Sequence, residues 1–204
     1  MEFLWVQVPL PVLMRTDILN RIITRYQYKT YLEIGVGARH DNFDKIRCRT
    51  KVCVDPRPET RPDFVLTSDE FFVQNQSKFD LIFVDGLHEA DQVYKDVENS
   101  LACLAPNGTI VCHDINPMEE YLQVMPRQQT VWTGDAWKAW VRLRARNDLE
   151  MYVIDHDYGC GVIRLAQTKP LVVTEELNWS GLDQNRKIWL NLVPFETWWR
   201  FTTF

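Results

Sequence analysis

The chain has 204 residues and a mass of 24.2 kDa, which fits one domain with a sizeable core. Its formal net charge of -5 argues against a protein whose main role is to coat nucleic acid. No run approaches the ~20 apolar residues that span a membrane. The apolar N-terminus has Glu2 where a signal peptide needs basic residues, and Pro9 and Pro11 interrupt it, so we expect no secretory leader.

Five cysteines occur, an odd number without a C-x-x-C pair, and several lie inside apolar runs. This pattern favours buried free thiols over a disulfide framework or a zinc site. The sequence therefore predicts a cytoplasmic protein.

Short apolar runs alternate with helical stretches along the chain. Five of these runs predict strands at 31–34, 51–55, 63–67, 79–84 and 109–113. They are apolar on both faces, which is typical of a parallel sheet covered by helices. Two further runs, 151–154 and 161–165, flank a turn and predict a hairpin, so one of them must run antiparallel. We therefore predict an α/β fold: a doubly wound, mostly parallel, Rossmann-like seven-stranded sheet with a terminal antiparallel hairpin.

Helices are predicted between most of these strands. Apolar residues at three- and four-residue spacing indicate a helix before the first strand with Thr16 as its N-cap, one with an apolar stripe from Ala90 to Leu104, and one over 135–146. No helix is expected between the second and third strands, because prolines keep that link extended. These prolines are Pro56, Pro58 and Pro62.

The whole chain, 1–204, is predicted to form one domain. Residues 1–30 would be an N-terminal segment with a helix, 31–166 the core sheet and its helices, and 167–204 a C-terminal extension. Aromatic residues are dense in this extension, so either the domain itself or a second copy in a homodimer must cover them, and we slightly favour the first. They are Trp179, Trp189, Phe195, Trp198, Trp199, Phe201 and Phe204.

Polar residues end most of the predicted strands, at the edge where open α/β sheets bind ligands. Gly35 and Gly37 allow a tight turn and a close approach of the backbone to a ligand. Asp55, at the end of the second strand, is placed to accept both hydroxyls of a ribose. Ser68 or Asp69, after the third, is expected to meet an adenine amino group. Together these residues favour a nucleotide cofactor over a simple strand-to-helix turn.

The glycine pattern discriminates between nucleotide cofactors. A dinucleotide-binding loop has a third glycine where this chain has His40. Glu33, two residues before Gly35, suits an ammonium or sulfonium group better than a diphosphate. The residues therefore favour S-adenosylmethionine over a nicotinamide dinucleotide.

Several motifs, in order along about residues 16–166, resemble those of class I S-adenosylmethionine-dependent methyltransferases. They are the Glu-x-Gly-x-Gly turn at 33–37, the acid that ends the second strand, the segments 79–88 and 104–114, and the final hairpin. The likeness is greatest to a small bacterial group that includes macrocin-type sugar O-methyltransferases, whose Trp-x-Gly-Asp-x-Trp-Lys motif resembles residues 132–138. This resemblance implies transfer of a methyl group to a small, hydroxylated, sugar-like acceptor.

The resemblance also implies a mechanism. In metal-dependent O-methyltransferases of the catechol type, the positions that match Asp85, His113 and Asp114 hold a divalent cation such as Mg²⁺, and the position that matches His88 is a base. Asp85 would also contact the cofactor. His113 stands where that group has a carboxylate, which shifts the preference toward a softer ion or toward no metal.

Structural roles for these four residues are open alternatives. His113 and Asp114 could be a hydrogen-bonded pair at a strand end, Asp85 a helix N-cap, and His88 a surface histidine. The turn of the predicted hairpin, with Asp157, is expected to be a solvated loop.

Two other functions are weighed against methyl transfer. A nicotinamide-dependent oxidoreductase is disfavoured by His40 in place of the third glycine. A non-catalytic module would keep the fold for cofactor binding or assembly, with the aromatic extension as its contact surface. The presence of Glu33, Asp55 and Asp85 argues against this second alternative.

Overall fold

The structure is a computed structural model that describes residues 13–202. The first twelve residues of the predicted N-terminal segment, and Phe204 of the aromatic extension, lie outside the described residues. Within 13–202, seven strands form one sheet that six α-helices cover.

The strands are β1 (Thr30–Ile34), β2 (Thr50–Val54), β3 (Phe79–Val84), β4 (Leu104–Cys112), β5 (Leu149–Asp155), β6 (Cys160–Leu165) and β7 (Leu192–Pro194). The α-helices are α1 (Arg15–Tyr26), α2 (Ser68–Gln74), α3 (Ala90–Cys103), α4 (Ala136–Leu143), α5 (Trp179–Leu190) and α6 (Phe195–Phe201). Short 3₁₀ helices occupy Phe43–Lys45, Pro58–Thr60 and Glu120–Gln123.

The sheet has the strand order β2-β1-β3-β4-β6-β5-β7. Strands β2, β1, β3 and β4 run parallel, β6 is antiparallel to both β4 and β5, and β7 is parallel to β5. The predicted mostly parallel, Rossmann-like sheet with an antiparallel hairpin is therefore confirmed. The chain moves outward from β1 to β2 and returns to the other side of β1 as β3, so the topological switch point lies between β1 and β3.

The predicted strand at 63–67 is wrong. Phe64 forms a single bridge with Val54, and the rest of the segment is a loop that leads to α2. The carbonyl of Cys53 accepts the N–H groups of both Asp63 and Phe64, and the Phe64 carbonyl accepts the N–H of Asp55, so the loop pairs with the end of β2 only around Phe64 and not along a ladder. The seventh strand is instead β7, from the C-terminal extension.

The predicted cap of α1 is also wrong. Met14 is the N-cap, and its backbone N–H donates to the Asp17 carboxylate at 2.9 Å. The hydroxyl of Thr16 instead donates to Oδ1 of Asn42 at 2.7 Å in the interior. Helix α3 contains the predicted apolar stripe except for Leu104, which begins β4, and α4 occupies 136–143 of the predicted helix over 135–146.

The core lies in two apolar clusters, and alternate residues of the central strands divide between them. Leu32 and Ile82 belong to the first cluster, whereas Tyr31 and Phe83 belong to the second. Because successive side chains of a strand point to opposite faces, the clusters lie on the two faces of the sheet.

The aromatic residues of the described part of the extension pack on its own domain, with the exception of Phe201. Trp189 joins the first cluster, where its ring stacks on Trp137 with centroids 6.1 Å apart, and Trp198 joins the second. Phe201 is exposed.

The cysteines are free thiols, four of them buried. Among residues 13–202, the helices lack the length and apolarity that a bilayer crossing requires.

Candidate active site

A cavity of about 450 Å³ opens where β1, β2 and β3 end. Its walls are the ends of these strands, the first turn of α2, one face of α3, and Arg127 and Trp132 from the segment before α4. The cavity therefore lies at the switch point, where open α/β sheets bind their ligands.

The loop after β1 brings its backbone against the end of β3. Gly35 has a φ of +82°, and a Cβ atom there would lie 2.2 Å from the carbonyl oxygen of Asp85, so glycine is required. Gly37 has a φ of +56° but open space where its Cβ would be. Gly35 lines the cavity, whereas Gly37 is outside its wall.

Asp55 follows β2 and lines the cavity, as expected for a ribose contact. Its carboxylate accepts the backbone N–H groups of Val36 at 3.0 Å and of Arg57 at 2.9 Å. The Arg57 guanidinium adds two hydrogen bonds, each 3.1 Å long. Burial raises the pKa of Asp55, but the hydrogen bonds from Arg57 and Val36 outweigh it, so the pKa lies below its ordinary value. Asp55 is therefore an ionised acceptor.

Ser68 and Asp69 line the cavity at the start of α2, so the structure brings them together with Asp55. Two further lining residues, Gln92 and Asp96, were not singled out from the sequence. Nε2 of Gln92 donates to Ser68 Oγ at 3.2 Å, to Asp69 Oδ1 at 3.3 Å and to Asp96 Oδ1 at 2.9 Å. Their i, i+4 spacing on α3, beside its apolar stripe, was the signal that could have identified them.

Glu33 is buried and does not line the cavity. Its carboxylate accepts hydrogen bonds from the hydroxyl of Tyr31 at 2.5 Å and from Nδ2 of Asn42 at 2.8 Å. Burial raises the pKa of Glu33 to about 8, although these hydrogen bonds lower it. Glu33 therefore links β1 to Asn42, in the segment after the glycine loop, from within the protein.

Asp85 and His88 both line the cavity, at the end of β3 and just before α3. Asp85 Oδ1 lies 3.4 Å from His88 Nε2 and 3.3 Å from His113 Nδ1. Burial raises the pKa of Asp85, but the two histidines outweigh it and hold this pKa well below its ordinary value. Asp85 is therefore ionised beside the histidine predicted to be the base.

Trp132 fixes the position of the His88 ring. The two rings stack with centroids 5.7 Å apart, and Nδ1 of His88 lies 3.1 Å from the Trp132 carbonyl oxygen. Nδ1 also lies 3.2 Å from Asp114 Oδ2. Burial lowers the pKa of His88, but Asp85 and Asp114 raise it more, so the pKa lies above its ordinary value. His88 therefore lies in the cavity wall with its ring positioned by Trp132 and Asp114, and it is not a free surface histidine.

His113 and Asp114 follow β4 and contact Asp85. Donor atoms of the three residues all lie within 4.8 Å of one another. His113 Nδ1 is 3.3 Å from a carboxylate oxygen of each of the two acids. Two ligands about 2.1 Å from one ion, at tetrahedral or octahedral angles, are about 3.0–3.4 Å apart, so this donor set fits a divalent cation.

Asp157 and Arg15 complete this cluster and were not predicted. The expectation that the hairpin turn is solvated is wrong for Asp157, whose side chain is 4% exposed. Its Oδ2 accepts the Arg15 backbone N–H at 2.9 Å and lies 3.5 Å from His113 Nε2. Burial raises the pKa of Asp157, but His113 and Arg15 lower it to about 2. Neither residue belongs to a sequence motif: antiparallel pairing of β6 with β4 brings the turn with Asp157 here, and Arg15 comes from the start of α1.

Residues 27–115 match the model of a family described as a methyltransferase domain. No curated protein sequence matches the chain. Among solved structures, the methyltransferase PaMTH1 from Podospora anserina, bound to S-adenosylhomocysteine, is 17% identical with a TM-score of 0.56, over 75% of this chain and 78% of that chain. The O-methyltransferase from Bacillus cereus, also with S-adenosylhomocysteine, is 11% identical with a TM-score of 0.54, over 79% and 84%.

The O-methyltransferase TomG from Streptomyces achromogenes, in complex with S-adenosylmethionine, is 14% identical with a TM-score of 0.51, over 72% of this chain and 78% of that chain. These likenesses show that the chain has the Rossmann-like fold of these methyltransferases. Together with the methyltransferase domain matched at 27–115, they support the predicted S-adenosylmethionine-dependent methyltransferase.

Proposed function

We propose that the protein transfers the methyl group of S-adenosylmethionine to a hydroxyl of a small, sugar-like acceptor. The proposal rests on one observation: a single cavity extends from Asp55, at the ribose end, to Asp85 and His88, at the reacting end. The similar Bacillus and Streptomyces proteins are both O-methyltransferases, which supports transfer to oxygen. The macrocin-like motif at 132–138 supports a sugar-like acceptor.

We assign cofactor binding to Gly35, Asp55, Ser68, Asp69 and Asp85, all of which line the cavity. Asp55 would accept the ribose hydroxyls, and the acceptor groups of Ser68 and Asp69 would face the adenine amino group. Glu33 and Gly37 would shape the loop that holds the amino acid end of the cofactor.

In the proposed reaction the acceptor oxygen attacks the methyl carbon of the sulfonium. The C–S bond breaks, its electron pair stays on sulfur, and the products are a methyl ether and S-adenosylhomocysteine. His88 takes the hydroxyl proton, because it lines the cavity beside Asp85 and its ring is fixed by Trp132. Most of the rate acceleration should come from alignment of acceptor and sulfonium, since the step is a direct displacement.

We further propose that Asp85, His113 and Asp114 hold a divalent cation, because their donor atoms converge within 4.8 Å. Such an ion would lower the pKa of the acceptor hydroxyl and fix its position. The imidazole donor favours an ion such as Mn²⁺ or Co²⁺ over Mg²⁺.

We also propose that the whole chain is one domain that works in the cytoplasm. Five free thiols suit a reducing compartment. The net charge of -5 gives no support to a nucleic acid partner. The packing of Trp189 and Trp198 on the domain favours self-coverage of the aromatic extension over a homodimer.

Thermal unfolding with S-adenosylmethionine, S-adenosylhomocysteine and NAD, each with and without Mn²⁺, tests the cofactor. A ligand at a hundred times its Kd adds about 2.7 kcal/mol, which raises the Tm by several degrees for a chain of this size. We expect this rise in Tm with S-adenosylmethionine and with S-adenosylhomocysteine, but not with NAD. A response to NAD alone, or none to the adenosyl ligands, would contradict the proposal.

Mass spectrometry then tests the acceptor, with a panel of sugars, nucleotide sugars and catechols. We expect the gain of one methyl group on a sugar hydroxyl. Methylation of catechols alone would overturn the acceptor class. Cofactor binding with no turnover on any acceptor would favour a non-catalytic module.

A further inference from the structure

We infer that Asp157 is a positioning residue that orients His113 toward a bound divalent cation, and that Arg15 holds Asp157 in place. The inference rests on the proposed cation site of Asp85, His113 and Asp114. It gives the turn between β5 and β6 a role at the reacting end of the cavity.

His113 presents its two ring nitrogens to different carboxylates. Nδ1 faces Asp85 and Asp114 at 3.3 Å each, whereas Nε2 faces Asp157 Oδ2 at 3.5 Å. Nε2 is buried and has no hydrogen-bond partner in the described part of the chain. An imidazole that binds a cation through Nδ1 keeps its proton on Nε2, and Asp157 is the carboxylate placed to accept that proton in a hydrogen bond. Nδ1 then points at the space between the two acids.

Several contacts hold Asp157 in this position. Its φ of +50° is uncommon for a residue other than glycine, and the backbone N–H of Arg15 donates to its Oδ2 at 2.9 Å. The preceding residue, His156, stacks on Phe195 with ring centroids 4.2 Å apart. The strand pairing contributes as well, because Gly161 of β6 lies opposite Cys112, the residue before His113.

Arg15 connects both ends of this arrangement. Its Nη1 lies 3.4 Å from Asp157 Oδ2, and its Nε lies 3.6 Å from Asp85 Oδ2. The Arg15 guanidinium thus offsets the repulsion between the carboxylate of Asp85, which would bind the cation, and that of Asp157, which would orient His113. The side chain of Arg15 is 22% exposed, so water screens this charge only in part.

Isothermal titration of the complex with S-adenosylhomocysteine, using Mn²⁺ and Co²⁺ as probes, tests the inference. Loss of a carboxylate that orients a metal-binding histidine typically weakens metal affinity by about 10–100-fold, so we expect this loss in Asp157→Ala. We expect a smaller loss in Asp157→Asn, because the amide oxygen still accepts the Nε2–H. Asp155→Asn removes the same charge from the exposed position two residues earlier and should leave affinity within about twofold of wild type.

Affinity for S-adenosylhomocysteine shows whether each variant folds, and it should be unchanged in all of them. If Asp157→Ala does not fold, Asp157→Asn carries the same test with the shape of the side chain kept. Wild-type Mn²⁺ affinity in either folded Asp157 variant would overturn the inference. If the wild-type complex binds neither ion, the inference and the proposed cation site both fail, whereas methyl transfer measured without added metal would leave the proposed reaction intact.

Discussion

The guanidinium of Arg57 covers the carboxylate of Asp55, with Nε and Nη2 each 3.1 Å from one of its two oxygens. These are the oxygens that we assign to the ribose hydroxyls. The Arg57 side chain is 58% exposed and can move into solvent, whereas the Asp55 side chain is 3% exposed and cannot. Arginine and ribose therefore compete for the same acceptor.

We predict that Arg57→Gln binds S-adenosylhomocysteine more tightly than wild type, by up to about fivefold. An exposed ion pair contributes up to about 1 kcal/mol, and this is the free energy that the ribose must displace. Isothermal titration measures the difference, with the exposed neighbour Arg61→Gln as the control. Weaker binding by Arg57→Gln would show that the guanidinium assists the cofactor instead.

Substitution of the two loop glycines should separate steric exclusion from backbone strain. Gly35→Ala would place a Cβ 2.2 Å from the Asp85 carbonyl, so we expect lost cofactor binding and a large fall in Tm. At Gly37 a Cβ would meet open space, so Gly37→Ala should lower the free energy of unfolding by only about 1 kcal/mol, because alanine disfavours the positive φ. Thermal unfolding with and without S-adenosylhomocysteine compares them. Equal effects at the two positions would contradict this account of the loop.

Glu33 should make stability fall as the pH rises. Its pKa of about 8 in the folded protein exceeds the ordinary value of 4.5, so between these values the folded state keeps a proton that the unfolded state has released. Stability is then lost with increasing pH in this window, by up to about 1.4 kcal/mol per pH unit. Glu33→Gln, which does not titrate, should flatten the slope and exceed wild type in stability above about pH 8.

Urea unfolding from about pH 5 to about pH 9 measures this slope as a change in the free energy of unfolding. The exposed carboxylate of Glu150 on β5 provides the control, and Glu150→Gln should keep the wild-type slope. An unchanged slope in Glu33→Gln would assign the pH dependence to another group.

Loss of the imidazole of His88 should impair turnover without loss of the cofactor. We expect His88→Ala to lower kcat by about 10²–10⁴-fold, the usual contribution of a general base. Its affinity for S-adenosylhomocysteine should stay within about twofold of wild type, since the proposed base contacts the acceptor and not the nucleotide. His40→Ala, at an exposed position, is the control. Near-full turnover of His88→Ala would exclude this histidine as the base.

Packing of the C-terminal extension should contribute strongly to stability. Trp189 is 2% exposed and stacks on Trp137, so Trp189→Ala should cost about 3–5 kcal/mol in the free energy of unfolding. Phe201→Ala, at an exposed position of α6, should cost much less. Urea unfolding measures both. A small effect of Trp189→Ala would indicate that the extension is loosely attached.

The sheet could be predicted from sequence because its central strands are apolar on both faces and end in polar residues. Residues 63–67 have a similar composition but form a loop, in which the N–H groups of Asp63 and Phe64 both donate to the carbonyl of Cys53. Composition does not reveal which backbone groups form hydrogen bonds with one another. Strand β7 has only three residues and ends in proline, so it is too short for any periodicity.

The candidate site could be predicted where a residue directly ends a strand, as with Asp55 and Asp85. Glu33 differs from them because it lies inside β1, one residue before the end of the strand, and its side chain is buried. Arg15 and Asp157 reach the cluster through tertiary packing of elements 142 residues apart. Such contacts leave no local pattern in the sequence.

Strand β7 also determines how the sheet ends. It covers the outer side of β5 through three residue pairs, and its own outer edge is too short to pair with a long strand. Pro194 has no N–H group to offer there. The extension thus protects the hairpin from edge-to-edge association with other chains, and a protein shortened before Leu192 would present β5 as an open template for aggregation.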